Sequence, residues 1–115
     1  MKTVYIACRV GGDVKKNLEA ARLYYEYAVQ KGVAPVMPHL ILADGILDDS
    51  DPEQRKKGIE IGESILLKCD ALWVVIDSRG VSAGMQNEIN IAAAAGIPID
   101  LIQAYPGRDD VFIFE

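Results

Sequence analysis

The chain has little of what several functions require. It carries two cysteines, Cys8 and Cys69, and a single histidine, His39. The cysteines form no CxxC pair, and one imidazole cannot complete a zinc set with them. No metal and no cofactor are expected. Two unpaired thiols suit a reducing compartment rather than a disulfide scaffold. No stretch of about 18 apolar residues is present, so no membrane span is expected. The opening residues, Met1 to Cys8, lack the apolar length of a signal peptide, and a cytoplasmic protein is expected. Gly-x-Gly-x-x-Gly and Gly-Lys-Ser/Thr patterns are missing, which excludes the usual dinucleotide and P-loop readings. A surplus of base is missing too. Twelve Lys and Arg stand against 17 Asp and Glu, a net charge of −5. Such a chain repels nucleic-acid polymers and anionic membranes, and leaves small molecules as partners.

What is present is a foldable domain. Half of the 115 residues are hydrophobic and 25% are charged, enough to bury a core in one domain spanning 1–115. The charge is unevenly placed. Residues 42–53 hold five acids, Asp44, Asp48, Asp49, Asp51 and Glu53, and no base, while the remainder balances. A calcium loop fails there, because Gln54 stands where the turn glycine is needed. Carboxylates this dense repel one another and resist packing, so an acidic lid at 40–52 is expected.

Thr3–Cys8 is an unbroken apolar run, the pattern of a strand buried on both faces. Asp13 can cap a helix to about Lys31, with Val14, Leu18, Ala21, Tyr25, Ala28 and Val29 on its apolar side, and Gly32 stops it. Val33–Met37 reads as a second strand and 39–51 as an irregular connection. Asp51-Pro52-Glu53-Gln54 is a helix start with a cap, a proline at the first helical position and a capping-box glutamine. That helix carries Ile59, Gly62, Ile65, Leu66 and Cys69 on one face. Ala71–Asp77 is a third strand. Ser82 caps a helix ending at Gly96, Pro98–Ile102 is a fourth strand and Val111–Phe114 a fifth. The order predicts an α/β fold. It is a flavodoxin- or Rossmann-like sheet of four to five mainly parallel strands with helices on both faces. Ligands of such sheets bind beyond the carboxyl ends of the strands, here at Arg9–Asp13 and Asp77–Glu88.

Both segments hold candidate site residues. In Arg9-Val10-Gly11-Gly12, the glycines let backbone approach a ligand and the guanidinium offers a forked phosphate donor. The alternative is a tight turn with a solvated arginine. In Ser82-Ala83-Gly84-Met85-Gln86-Asn87-Glu88, a capped helix start offers N–H groups to an anion. Glu88 lies beside the apolar Met85, Ile89 and Ala92, where a carboxylate can act as nucleophile or base in a partly dry pocket. The alternative is a glutamate placed favourably near a helix N-terminus. Asp77 ends the third strand on the ligand side, whereas Asp70, at its opposite end, reads as structural. His39 reads as a packing or hydrogen-bonding residue. Tyr5 is a core residue and a candidate pocket wall.

The motifs Val4-Tyr5-Ile6-Ala7-Cys8, Arg9-Val10-Gly11-Gly12, Pro38-His39, Lys68-Cys69-Asp70-Ala71-Leu72-Trp73-Val74-Val75 and Ser82-x-Gly84-x-x-x-Glu88 together resemble the nucleoside 2-deoxyribosyltransferase superfamily. This includes the 2-deoxynucleoside 5-monophosphate N-hydrolases and many small bacterial and phage relatives, to which the likeness is greatest. It runs from about Val4 to Ile102. The resemblance implies that Glu88 is the nucleophile, attacking the anomeric carbon to form a glycosyl ester. It further implies that Arg9, Gly11, Gly12, Ser82 and Gly84 hold a 5-phosphate, that Tyr5 lines the site, and that the chain forms a homo-oligomer. The Tyr24-Tyr25-x-Tyr27 cluster offers apolar surface for such contacts. Two positions depart from the pattern. The family's aspartate that helps the base leave falls at Gly62, with Glu60 and Glu63 as neighbouring candidates for the acid partner, and a usual glycine is Cys8. The expected function is an N-glycosidase or N-deoxyribosyltransferase-like activity on a nucleoside monophosphate or related small molecule. A non-catalytic nucleotide or nucleotide-sugar binder using the same pocket is the alternative. An acidic lid over the cradle favours singly phosphorylated or uncharged ligands over triphosphates.

Overall fold

The computed structural model describes residues 1–106 and 112–114. Strand β1 (Thr3–Ala7) is followed by helix α1 (Val14–Gln30) and strand β2 (Ala34–Val36). A short helix α2 (His39–Ile41) runs into a π-helical turn (Leu42–Ile46), then helix α3 (Pro52–Leu66) leads to strand β3 (Ala71–Ile76). Helix α4 (Ala83–Ala95), strand β4 (Ile99–Pro106) and strand β5 (Phe112–Phe114) complete the chain. The strands form one sheet in the order β2-β1-β3-β4-β5. The first four are parallel, and β5 pairs antiparallel with β4. Val111, expected at the start of the fifth strand, lies outside the described residues.

The chain moves outward from β1 to β2 and then crosses back to place β3 on the other side of β1. The switch point therefore lies between β1 and β3, where α/β sheets open a crevice. Alternation along β1 divides the core. Val4, Ile6 and Cys8 pack with Ala21, Tyr24 and Ala28 of α1. Tyr5 and Ala7 pack with Leu66 of α3 and Met85 and Ala92 of α4. Ile6, Leu66, Leu72 and Met85 are among the fully buried side chains. Each contributes about 1.5–3 kcal/mol by leaving water.

The caps form as the sequence predicts. Asp13 accepts from the Lys16 N–H and Ser82 from the Met85 N–H, each at 3.2 Å. Gly96, at φ 73°, ends α4 in the left-handed conformation that glycine adopts without strain. The capping glutamine behaves differently from a simple box. Gln54 donates to Asp51 at 3.0 Å and accepts from the Asp48 N–H at 2.7 Å, so it ties the connection down as well as the helix.

Several boundaries and faces differ from expectation. On α1 the buried positions are Asn17, Ala21, Tyr24 and Ala28, whereas Tyr25 and Val29 are exposed. The core-facing stripe is turned by one position and includes the polar Asn17, which donates to the Val10 and Gly11 carbonyl oxygens. Residues 39–43 are helical rather than irregular, while Asp44 and Gly45 leave helical geometry, Gly45 at φ 91°. Ile59 is exposed, and Cys69 lies past the end of α3, its thiol 3.4 Å from the Ile65 carbonyl oxygen. Strand β3 stops at Ile76, since Asp77 turns back to bridge Gly80. Asp70 is structural, accepting from the Thr3 N–H at 2.8 Å.

Candidate active site

The segments following β1 and β3 are laced together. Arg9 donates from Nη2 to the Arg79 and Gly80 carbonyl oxygens at 3.2 and 3.5 Å. Its Nε is buried and has no hydrogen-bond partner among the described residues. Asn17, 3% exposed, donates to the Val10 and Gly11 carbonyl oxygens at 3.0 and 2.7 Å, and its own oxygen accepts from Arg79 at 3.0 Å. Arg79 is also ion-paired with Asp77. Burial raises the Asp77 carboxyl, but hydrogen bonds from Arg79 and the charges of Arg79 and Arg9 outweigh it and hold the group below its ordinary value. Buried Asn17 thus clamps the turn between β1 and α1 to the loop after β3.

Helix α4 starts at the same place. Ser82 is extended and uses its hydroxyl to cap the helix, leaving the first turn open to the cleft. Glu88 lies farther along this helix, half-buried beside Met85. Burial pushes its carboxyl up to about 7, while a hydrogen bond from Tyr5 pulls the other way. The Tyr5 phenol is itself pushed far above its ordinary value, by burial first and then by Glu88. A carboxylate poised near neutrality, held by one donor, suits nucleophilic or base chemistry.

Two features of the walls set this site apart. At Gly62 on α3, an added Cβ would stand 3.0 Å from the Tyr5 hydroxyl oxygen. The position expected to carry an acid partner is thus crowded by the group that holds Glu88. Beyond the end of β1, the Cys8 sulfur lies 3.2 Å from Nε2 of His39. Burial, with Glu88 and Asp77 nearby, pushes the Cys8 thiol above its ordinary range. Burial lowers His39 to about 4, so its ring is neutral at physiological pH. A neutral thiol beside a neutral imidazole is a hydrogen-bonded pair, not a thiolate nucleophile.

These elements enclose a cleft of about 780 Å³. Tyr5, Arg9, Gly11, Ser82, Gly84 and Glu88 all line it, and Glu63 stands at its wall on α3. Gly12, Asp77 and Glu60 are not among the lining residues. Gly12 takes the left-handed turn conformation at φ 88°, and Asp77 acts on Arg79 instead. The acidic connection contributes Leu42, Ala43, Leu47, Asp48, Asp49 and Ser50 to the wall. Among the described residues, no group of three or more His, Cys, Asp or Glu side chains is arranged to hold a metal ion.

Asn17, Arg79 and the Cys8–His39 pair were not evident as site residues from the sequence. The signal for Asn17 was a polar residue inside the apolar stripe of α1. For the pair it was an imidazole just past a strand that neighbours β1.

The fold is similar to that of a 2-deoxyribosyltransferase from Bacillus psychrosaccharolyticus, with a TM-score of 0.70 and 14% identity over 88% of this chain and 72% of that one. A 2-desoxiribosyltransferase from Leishmania mexicana matches at a TM-score of 0.61 and 20% identity, over 100% of this chain and 79% of that one. The CMP N-glycosidase BcmB from Clostridium botulinum matches at 0.52 and 20% identity, over 89% and 69%. At these identities the likeness shows a shared α/β fold. No curated protein matches the sequence. Among the described residues no helix is long and apolar enough to cross a membrane. Residues 2–102, nearly the whole chain, match the domain of unknown function DUF7768, and the chain belongs to that family.

Proposed function

We propose that this protein is an N-glycosidase or N-deoxyribosyltransferase-like enzyme acting on a nucleoside monophosphate or related small molecule, with Glu88 as nucleophile. The observation that carries this reading is Glu88 itself: a half-buried carboxyl at the switch-point cleft, raised to about 7 and hydrogen-bonded by Tyr5. In its ionised form Glu88 attacks the anomeric carbon, the base departs, and the glycosyl ester passes to water or a second base. Arg9, Gly11 and the Ser82–Gly84 helix start hold the phosphate, with Gly12 supplying the turn behind them. Asp77 contributes through Arg79, which Asn17 ties to the same turn. Residues 40–52 form the lid. The protein works as a homo-oligomer; Tyr24 is buried and Tyr27 packs on the core, so Tyr25, with Val29 on α1, supplies the exposed apolar surface, and gel filtration measures its mass.

The second reading is a non-catalytic nucleotide or nucleotide-sugar binder in the same pocket. Gly62 favours it, because the carboxylate that would assist the departing base is missing from that position. Base release from a panel of nucleoside monophosphates separates the two. Loss of release in Glu88→Ala supports the enzyme. Equal release by both proteins rejects it, and tight binding without turnover supports the binder.

A further inference from the structure

The neutral base of an N-glycoside leaves as an anion unless a proton reaches it as the C–N bond breaks. The cleft is poorly equipped to deliver one. At Gly62 a side chain would begin 3.0 Å from the Tyr5 hydroxyl and press on the group that holds Glu88. The other protic side chains nearby are poor donors. The Tyr5 phenol and Cys8 thiol are both pushed up by burial, and the His39 ring is unprotonated at neutral pH. The acidic side chains facing Glu88 across this cleft are surface carboxylates. Asp48 and Asp49 line it from the connection and Glu63 from α3, all three exposed, against one cation on that wall, the exposed Arg55 of α3. Hydrogen bonds from Ser50 hold the Asp48 carboxyl below its ordinary value. The phosphate cradle at Arg9 and Ser82–Gly84 belongs to other elements of the same cleft.

From the acid-free Gly62–Tyr5 contact and the carboxylates of the facing connection, we infer that the substrate is a nucleoside monophosphate whose base carries a fixed positive charge. A pyridinium or an N7-alkylpurinium is such a base. This rests on the glycosidase reading above. The Glu88 carboxylate oxygen forms a bond to the anomeric carbon as the bond from that carbon to the ring nitrogen breaks. The electron pair of the broken bond goes to the ring nitrogen and cancels its charge, so the base leaves neutral and takes no proton. Water then adds to the anomeric carbon and releases the Glu88 carboxylate, the sugar phosphate and one proton. Asp48 and Asp49 attract the cationic base through charge, while Arg9 and the start of α4 hold the phosphate.

The test compares base release from nicotinamide mononucleotide and N7-methylguanosine monophosphate with release from cytidine and guanosine monophosphates. Both ribo and deoxy sugars are used. Uncatalysed rates are subtracted, and Glu88→Ala sets the enzyme-dependent part. The expected result is a kcat/KM at least about tenfold higher for one or both cationic substrates than for the neutral ones. Asp48→Asn with Asp49→Asn should raise KM for the cationic substrate several-fold and change it less for a neutral one. Glu88-dependent release that is equal or faster for neutral bases overturns this inference and leaves the glycosidase reading standing. No Glu88-dependent release from any of the four overturns both.

Discussion

The Tyr5 hydroxyl stands 3.0 Å from the point that a Cβ on Gly62 would occupy, and it donates a hydrogen bond to Glu88. Helix α3 therefore needs a residue without a side chain where it passes the hydroxyl that holds Glu88. Gly62→Ala should displace Tyr5 by a few tenths of an ångström and weaken that bond. Tyr5→Phe should remove it. The bond favours the charged form of Glu88, so its loss raises the pKa further above 7. The activity–pH midpoint should move upward in both variants, less in Gly62→Ala. An unchanged midpoint in Tyr5→Phe would mean that Tyr5 does not hold the nucleophile.

As the proposed nucleophile of the unmodified protein, Glu88 must be ionised to attack. The rate should be low at pH 5.5 and rise through about 7. A rate profile for kcat/KM that falls across this interval would place a protonated group, not a carboxylate, in the first step.

Stability should respond to the same cleft in a less obvious way. Glu88 is raised on folding, so between about 4.5 and 7 the unfolded chain loses a proton that the folded chain keeps, and stability falls as pH rises. His39 is lowered on folding, so between about 4 and 6.5 the unfolded chain holds a proton that the folded chain lacks, and stability rises with pH. Each slope is at most about 1.4 kcal/mol per pH unit, and they oppose one another. Wild-type stability, followed by urea denaturation, should be nearly flat from pH 4.5 to 6.5. Glu88→Gln should gain stability with rising pH and His39→Gln should lose it. Parallel slopes in both variants would contradict the assignments.

Asn17 holds the turn and Arg79 together from a buried position. Asn17→Ala leaves two carbonyl oxygens and an arginine short of a partner, and should cost about 1–3 kcal/mol of stability. Because the turn belongs to the proposed phosphate cradle, KM for a monophosphate should rise more than kcat falls. A kcat loss with unchanged KM would remove Asn17 from that role.

The acidic connection should discriminate by charge. Affinity should be higher for a nucleoside monophosphate than for the triphosphate, and Asp48→Asn with Asp49→Asn should narrow the gap. Isothermal calorimetry at low salt measures it, where screening is weakest. Tightest binding by the triphosphate to the unmodified protein would contradict a carboxylate-lined wall.

Much of this architecture was legible in the sequence, and the rest was hidden for identifiable reasons. Buried parallel strands announce themselves as apolar runs, and Asp13, Asp51 and Ser82 mark helix starts by local chemistry. Arg9, Gly11, Ser82, Gly84 and Glu88 follow because a parallel sheet fixes which strand ends meet. Asn17 was obscured because its partners, Val10, Gly11 and Arg79, become neighbours only through tertiary folding, and a polar residue in an apolar stripe reads as a break. Tyr25 and Val29 were misplaced for the same reason. The Cys8–His39 contact joins residues 31 positions apart on adjacent strand ends, beyond any periodic signal. Residues 39–46 form one short helix and a wide turn, too brief for a 3.6-residue pattern to show. Gly62 was visible as a departure, but its reason, the Tyr5 hydroxyl, was not.

The central claim is that Glu88 forms a covalent bond to the sugar. Acid-quenched samples taken during turnover of the monophosphate panel, digested and analysed by mass spectrometry, test it directly. The account predicts a sugar-phosphate adduct on the peptide containing Glu88, absent from Glu88→Gln. Base release in the unmodified protein with the adduct on another residue, or undiminished release in Glu88→Gln, would contradict it.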